Sequence, residues 1–345
     1  VDAMRDATPG THPCNAGFIR DDARDTGAVF DVGTRPDVPA VCDLPPPGDC
    51  AADGDPFRAI GLGCDDTPIT DATFVSSDAR AWAIATSFGT AIDPMTSAPM
   101  WSPQRGDDML VLSTGVLADA GGGAIELPAG FAQTGDDGNG GNSNYNGDGK
   151  PLPAPLRSED GSNGGMGGTP FVDCDGVGDC SGSLGHQWDS GGAEANDLLW
   201  LTFTATPPAN ATGFAISFDY FSAEFPEWVG SQYNDVFVIW SESELYSGNL
   251  CFLGSDPCTV TALWPAPFQE NAPELAGTGF DGVGGATGWF TARGPVVGGA
   301  PVRITFALFD MGDTILDTTV LLDDFHWECE GCDPAVQDCG VTPEG

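Results

Sequence analysis

Lysine is almost missing from this sequence. Among 345 residues there are 11 Lys and Arg together against 51 Asp and Glu, for a formal charge of −40. The single lysine is Lys150. That scarcity excludes lysine-based chemistry elsewhere in the chain, and a field of this sign repels nucleic acid and anionic membranes. Histidine is also scarce, with three residues, His12, His186 and His326. None stands beside a Ser or Cys nucleophile motif, and no G-x-S-x-G occurs. No apolar run approaches the roughly 18 residues of a membrane-spanning helix. Strong helix formers are sparse, whereas Gly (49) and Pro (28) are far too abundant for a helical protein. The opening Val1-Asp-Ala-Met-Arg5 has neither the basic nor the apolar region of a signal peptide, so it reads as a processed N-terminus.

What is present is an apolar content of 41%, enough for a sizeable core, and eleven cysteines. Several cysteines sit in short acidic or Gly/Pro-rich loops, as local disulfides in an oxidising compartment do. Cys174–Cys180 and Cys251–Cys258 are the first pairs expected. Cys329-x-x-Cys332 followed by Cys339 imitates part of a zinc ligand set but has no fourth Cys or His nearby. The odd count leaves one thiol free or bridged to another chain.

Residues 1–71 read as an extended, acidic, Cys/Pro-rich arm with one strand-like stretch, Gly27–Gly33. A short helix is predicted near Ser77–Thr86, where Ser77 or Asp78 can cap an Ala-rich run. Beyond it the pattern is that of strands. Phe214, Ile216, Phe218 and Tyr220 alternate on one face, as do Val302, Ile304, Phe306 and Leu308; Val236–Trp240 is a continuous apolar run. The prediction is an all-β protein, an antiparallel jelly-roll-like β-sandwich over 72–328, with a Gly/Asn-rich insertion near 121–192 and a Cys-rich tail at 329–345.

The candidate chemistry lies in acidic loops. Asp310, Asp313 and Asp317 fall within eight residues around a Gly-containing turn, suited to one hard cation; the alternative is simple turn capping. Glu224, Asn234 and Asp235 bracket a loop holding Phe225, Trp228 and Tyr233. These acids suit calcium, and the aromatics suit stacking on a sugar or plugging the end of the sandwich. Further calcium loops are expected around Asp136, Asp137 and Asp148, and around Asp173, Asp175 and Asp179. The first imitates an EF-hand but places Pro153 where a bidentate Glu belongs, so an EF-hand is rejected. Glu224 and Glu227, three apart, fall on opposite faces if extended, which does not suit a glycosidase pair.

Three segments resemble one family. Met109-Leu-Val-Leu-Ser-Thr-Gly115 is similar to the GIVLSTG stretch of choice-of-anchor L domains. Phe218–Phe237 resembles their core around SEEYPEYVGS-x-YNDVF, with Ser222-Ala-Glu224-Phe in place of Ser-Glu-Glu-Tyr. Phe306–Asp323 resembles their IAD-x-GDSILDSAVFLD ending, and the acidic Cys-rich flanks are similar to those of myxobacterial secreted proteins. The resemblance implies a secreted or surface-displayed bacterial β-sandwich found with interchangeable C-terminal anchors, none of which is seen after Cys339–Gly345. It implies no biochemical activity. Residues and resemblance together give the expectation of a non-enzymatic, calcium- and disulfide-stabilised extracellular structural or adhesive protein. It would assemble with copies of itself when Ala28–Val32 is lent to a neighbour's sheet edge. The alternative is a carbohydrate-binding module that uses Trp228 and its neighbours on an extracellular polysaccharide.

Overall fold

A computed structural model describes residues 44, 50–64, 67–76, 78–128, 151–161, 174–263, 267–332 and 339–344. The chain divides into Val1–Val41 and Cys42–Gly345. Everything described lies in the second unit; the expected strand Ala28–Val32 lies outside the described residues.

Two antiparallel sheets form the body. One is ordered β1 (Ile69–Ser76), β8 (Ala195–Ala205), β16 (Val302–Met311), β10 (Val236–Glu242), β11 (Ser247–Asn249). The other runs β14 (Phe268–Gln269), β15 (Gly285–Pro295), β9 (Gly213–Ser222), β17 (Thr318–Glu328), β5 (Met109–Ser113), β2 (Trp82–Ala85), with β18 (Gly340–Pro343) also paired to β15. A small sheet of β4 (Pro99–Trp101), β3 (Ser87–Ile92), β7 (Ala124–Glu126) and β6 (Ala118–Gly121) is separate, as is the short pair β12 (Phe252–Leu253) and β13 (Asp256–Pro257). The all-β sandwich expected from the alternating pattern is the architecture observed.

The period of two explains the layers. Phe214, Ile216, Phe218 and Tyr220 of β9 meet Val302, Ile304, Phe306 and Leu308 of β16 in the main core. Phe218 packs 5.2 Å from Phe237 and 5.6 Å from Phe290, ring centre to ring centre. The other faces are covered too. Val236, Val238 and Trp240 of β10 pack with Leu184 of the one described α-helix, α1 (Leu184–Ser190), and with Leu156. Phe221, Val111 and Leu321 pack with Phe88 and Trp101 of the small sheet. This is why Val236–Trp240 reads as a continuous apolar run: both its faces are buried.

Three expectations change, and the insertion gains definition. Residues 82–85 form a strand rather than a helix, because Trp82 and Ile84 face the main core while Ala83 and Ala85 face the second cluster. A segment apolar on both faces and paired in register with β5 overrides its helical propensity. Asp78 makes a turn instead, with its carboxylate held below the usual range by hydrogen bonds from Arg80. The body also begins earlier than residue 72: Ala52, Phe57, Ala59, Ile60 and Leu62 belong to the main core. The tail is not separate, since Gly340–Pro343 adds a strand to β15. Finally, the described parts of the 121–192 insertion are packed structure, with Leu127, Leu156 and Leu184 buried.

Disulfides join Cys50–Cys64, Cys174–Cys180, Cys251–Cys258 and Cys332–Cys339. Cys329 is disulfide-bonded as well, which removes the zinc reading and accounts for all nine described cysteines. These short closures suit an oxidising, extracytoplasmic environment. No helix among the described residues is long and apolar enough to cross a membrane.

Replacing Phe218 by Ala empties the centre of the core between Phe237 and Phe290. It is expected to destabilise the fold by roughly 3–5 kcal/mol, measured by guanidinium unfolding followed through tryptophan fluorescence.

Candidate metal centre

Two of the connections that cross between the main sheets carry the acids. The chain leaves β9 in one sheet and enters β10 in the other; it returns from β16 to β17. β9 and β17 are antiparallel partners with Ser222 opposite Thr318, and β10 and β16 pair with Val236 opposite Phe309. Both crossovers therefore lie at the same end of the sandwich. The β5 terminus, Ser113-Thr114-Gly115, reaches that end beside Thr318 and Thr319.

This topology brings together four of the predicted acids. Glu224 follows β9, Asp235 precedes β10, Asp310 sits near the end of β16 and Asp313 lies in the next turn. Glu224, Asp235 and Asp310 are buried, at 1%, 0% and 0% exposure. Asp235 donates its backbone N–H to Glu224 Oε2 at 3.0 Å, and the Thr114 hydroxyl donates to Asp235 Oδ2 at 3.3 Å. The Tyr220 hydroxyl donates to the Asp235 carbonyl at 3.0 Å, and Thr318 N–H donates to Thr114 Oγ1 at 2.8 Å. Thr114 is thus held with its hydroxyl within reach of both Asp235 Oδ2 and the Thr318 carbonyl, the latter at 3.4 Å.

Little else satisfies these carboxyls. Asp235 Oδ1 and both Asp310 oxygens are buried with no donor of their own. Asp235 and Asp310 approach closely enough to hydrogen-bond only when one of them carries a proton. Burial, followed by the charge of Asp235, pushes Glu224 well above the usual carboxylate range. Burial, followed by the charges of Asp235, Glu224 and Asp313, does the same to Asp310. Burial alone raises Asp313. None of the described ion pairs places an Arg or His beside this group. No three His, Cys, Asp or Glu side chains among the described residues form a ready-made metal cage. The acids are therefore linked by repulsion and one shared proton rather than by preset ligand geometry.

The other predicted residues divide. Asn234 donates its amide to the Ser231 carbonyl at 2.5 Å and leaves Oδ1 buried without a donor. Asp317 is buried against Gly115, where an added Cβ would lie 2.1 Å from Asp317 Oδ2, so only glycine fits there. Phe225 is not a stacking surface: it is 3% exposed and part of the main core. Trp228 is 41% exposed, in an edge-on contact with Tyr233 at 5.7 Å. Asp179 is not an open ligand. Its Oδ1 accepts from Ser181 N–H and hydroxyl and from Asn249 N–H, and its Oδ2 from Ser183 N–H and hydroxyl and from Leu184 N–H. It ties the start of α1 to β11. Asp175 closes a tight turn through Val177 N–H. Asp136, Asp137, Asp148 and Asp173 lie outside the described residues.

Thr114, Tyr220 and Thr318 escaped the sequence reading. A signal for Thr114 was available in the Ser-Thr-Gly that ends β5; Tyr220 was visible only as a core residue. Asp219 and Asp323 are further buried acids, on the face of β9 and β17 turned away from the main core. Asp219 accepts from Thr287 Oγ1 at 3.1 Å and is pushed by burial to about 8. Asp323 accepts from Arg105 N–H at 2.8 Å and is pushed by burial to about 7.

No family model matches the chain, and no curated protein matches it. Among solved structures, a β-glucosidase from Kluyveromyces marxianus in complex with glucose is similar at 13% identity, with a TM-score of 0.17. The match covers 41% of this chain and 12% of the enzyme. A likeness so slight carries no argument about fold or activity.

Asp219 sets a pH dependence. Its folded value of about 8 lies above that of an unfolded Asp, so its contribution is complete below about pH 4 and is lost as pH rises through 8. The Asp219→Asn variant is expected to flatten the decline of Tm between pH 5 and 8.5 relative to wild type. Identical slopes in paired thermal melts would show that Asp219 is ionised in the fold.

Proposed function

We propose that this chain is a non-enzymatic extracellular structural protein of the choice-of-anchor L type. Its two sheets are fastened at the crossover end by a calcium ion held by Glu224, Asp235, Asp310 and Asp313. The observation that carries the reading is Asp310, a fully buried carboxyl that meets no backbone or hydroxyl donor, only the proton it shares with Asp235, and that faces three other acids. Clustering buried carboxylates without a counter-charge costs several kcal/mol per ion, and a divalent cation turns that repulsion into attraction. The donors in the cluster are all carboxylate oxygens, with no Cys or His among them. That set suits calcium, which takes six to eight oxygen ligands in irregular geometry, over zinc. Two crossovers tied to one ion would hold both sheets in register.

The burial of the acids favours a structural role for the ion. A ligand-bridging calcium needs an exposed coordination position, whereas Glu224, Asp235 and Asp310 are closed off. This weakens the sugar-binding alternative at this end, as does the burial of Phe225.

Calcium is expected to raise the Tm of chelator-treated protein, reaching about 2.7 kcal/mol of added stability at a hundredfold excess over Kd. Asp310→Asn should raise the Tm of the calcium-free protein by relieving repulsion, while removing the response to calcium. Equal melting curves in calcium and in chelator, with no calcium found by elemental analysis of native protein, would end the proposal.

The adhesive, self-assembling part of the reading rests on the strand-like stretch Ala28–Val32. In the described body the long free edge is β1. Its regular part, Thr73–Ser76, follows a bulge between Thr70 and Thr73 where Asp71 takes a φ of +52°. A bulge and a charge limit strand addition to that regular part. Light scattering of the full chain should report assemblies that disappear when residues 1–41 are deleted; monomers in both samples would refute assembly through the arm.

A further inference from the structure

A cleft lies along the edge of the larger sheet where β14 and β18 meet β15, and its lining includes none of the clustered acids. β15 pairs with β14 through Ala286 and with β18 from Phe290 onward. Between these pairings is a bulge, Thr287-Gly288-Trp289, with Gly288 at a φ of +74°. The bulge floors a half-open cleft of about 870 Å³, walled by Met100, Trp101, Gln104, Phe268, Trp289 and Glu344. That volume is in the range of small-ligand sites, about 300–1,000 Å³. Bulges recur beside binding sites because they re-aim a side chain; here Trp289 falls on the same face as Asp219, its partner in the β9 register.

The walls are well braced. Trp101 donates its indole N–H to the Glu274 carbonyl at 2.7 Å and packs edge-on against Phe268 at 5.0 Å. Glu344 is fixed by the Ser217 and Thr291 hydroxyls, both donating to Oε1 at 2.7 and 2.8 Å, and its backbone N–H donates to the Trp289 carbonyl. Oε2 is left for a ligand. Behind the floor, Thr287 donates to Asp219, whose Oδ2 is buried without a donor.

We propose that this cleft binds a neutral oligosaccharide. Trp289 and Phe268 present apolar faces to the C–H face of a sugar ring, while Glu344 Oε2 and the Gln104 amide receive its hydroxyls. Charge complementarity selects this occupant. The cleft has no cationic side chain and one carboxylate, on a chain of net charge −40, so phosphate, sulfate and uronate ligands are repelled. Glu344 is already partly compensated by two hydroxyl donors, which favours a hydroxyl-bearing partner over a full cation. Aromatic surface beside a few fixed polar groups is the usual composition of such a site. The proposal is independent of the calcium reading and uses none of its residues.

The test is tryptophan fluorescence and calorimetric titration of the full chain with soluble β-1,4-glucan, β-1,3-glucan, xylan and α-glucan oligosaccharides, with alginate and choline as charged comparisons. At least one neutral glycan should bind. Trp289→Ala should weaken it tenfold or more and Gln104→Ala several-fold, with unchanged Tm, while Trp228→Ala should leave it unaltered. Silence from every neutral glycan overturns the proposal. So does binding that survives Trp289→Ala and Gln104→Ala, or a response to choline or alginate alone. If Trp289→Ala lowers the Tm, Gln104→Ala decides the matter.

Discussion

Mutual repulsion among buried carboxyls at one end of the sandwich is the constraint around which this structure is organised. The β9–β10 and β16–β17 connections pass between the sheets at the same end, so their acids meet. Glu224, Asp235 and Asp310 are fully enclosed there, and burial raises each of them above its ordinary range. Thr114, held by Thr318, supplies Asp235 with a donor, and Gly115 leaves room for Asp317. The same closure that makes the cluster costly is what the proposed calcium ion would relieve, because little water competes for the charge there.

The rest of the body resists that repulsion by ordinary means. Phe218, Phe237 and Phe290 interlock between the sheets, and small covering layers close the outer faces. Asp179 is the contrast to Asp310. It is equally buried, yet six backbone and hydroxyl donors meet its oxygens, so it acts as a structural tie. Two buried aspartates thus have different chemical meanings, and the difference is the number of donors that the surrounding backbone aims at each. The cleft at the edge of the larger sheet has a third character. It joins aromatic surface to a few acceptors and includes none of Glu224, Asp235, Asp310 and Asp313.

Much of the fold was legible because a sheet face repeats every second residue. The alternations in β9 and β16 named the residues that meet in the core. The acidic loops were legible as clusters, but Asp beside a Gly turn also caps turns, as Asp175 does, so the clusters alone did not separate the two uses. The partners of these acids were less legible. Nothing local distinguishes Thr114 from other hydroxyls, and Phe225 looks like Trp228 until the β9–β10 loop turns one inward and leaves the other out. The 82–85 segment misled because its alanines favour a helix, whereas two apolar layers and an in-register partner held it extended.

By itself, the sequence determined the class of the fold, the sign of its field, the short cysteine closures and the concentration of acids in the loops between strands. Each of these depends on composition or on spacings of a few residues. Only the tertiary structure decided which acids are brought together and which are already satisfied. It also decided that Asp219 and Asp323 lose their water, and that Gln104, Phe268, Trp289 and Glu344 line one cleft. Those outcomes depend on desolvation and on contacts between residues hundreds of positions apart, and neither quantity leaves a periodic trace in the chain.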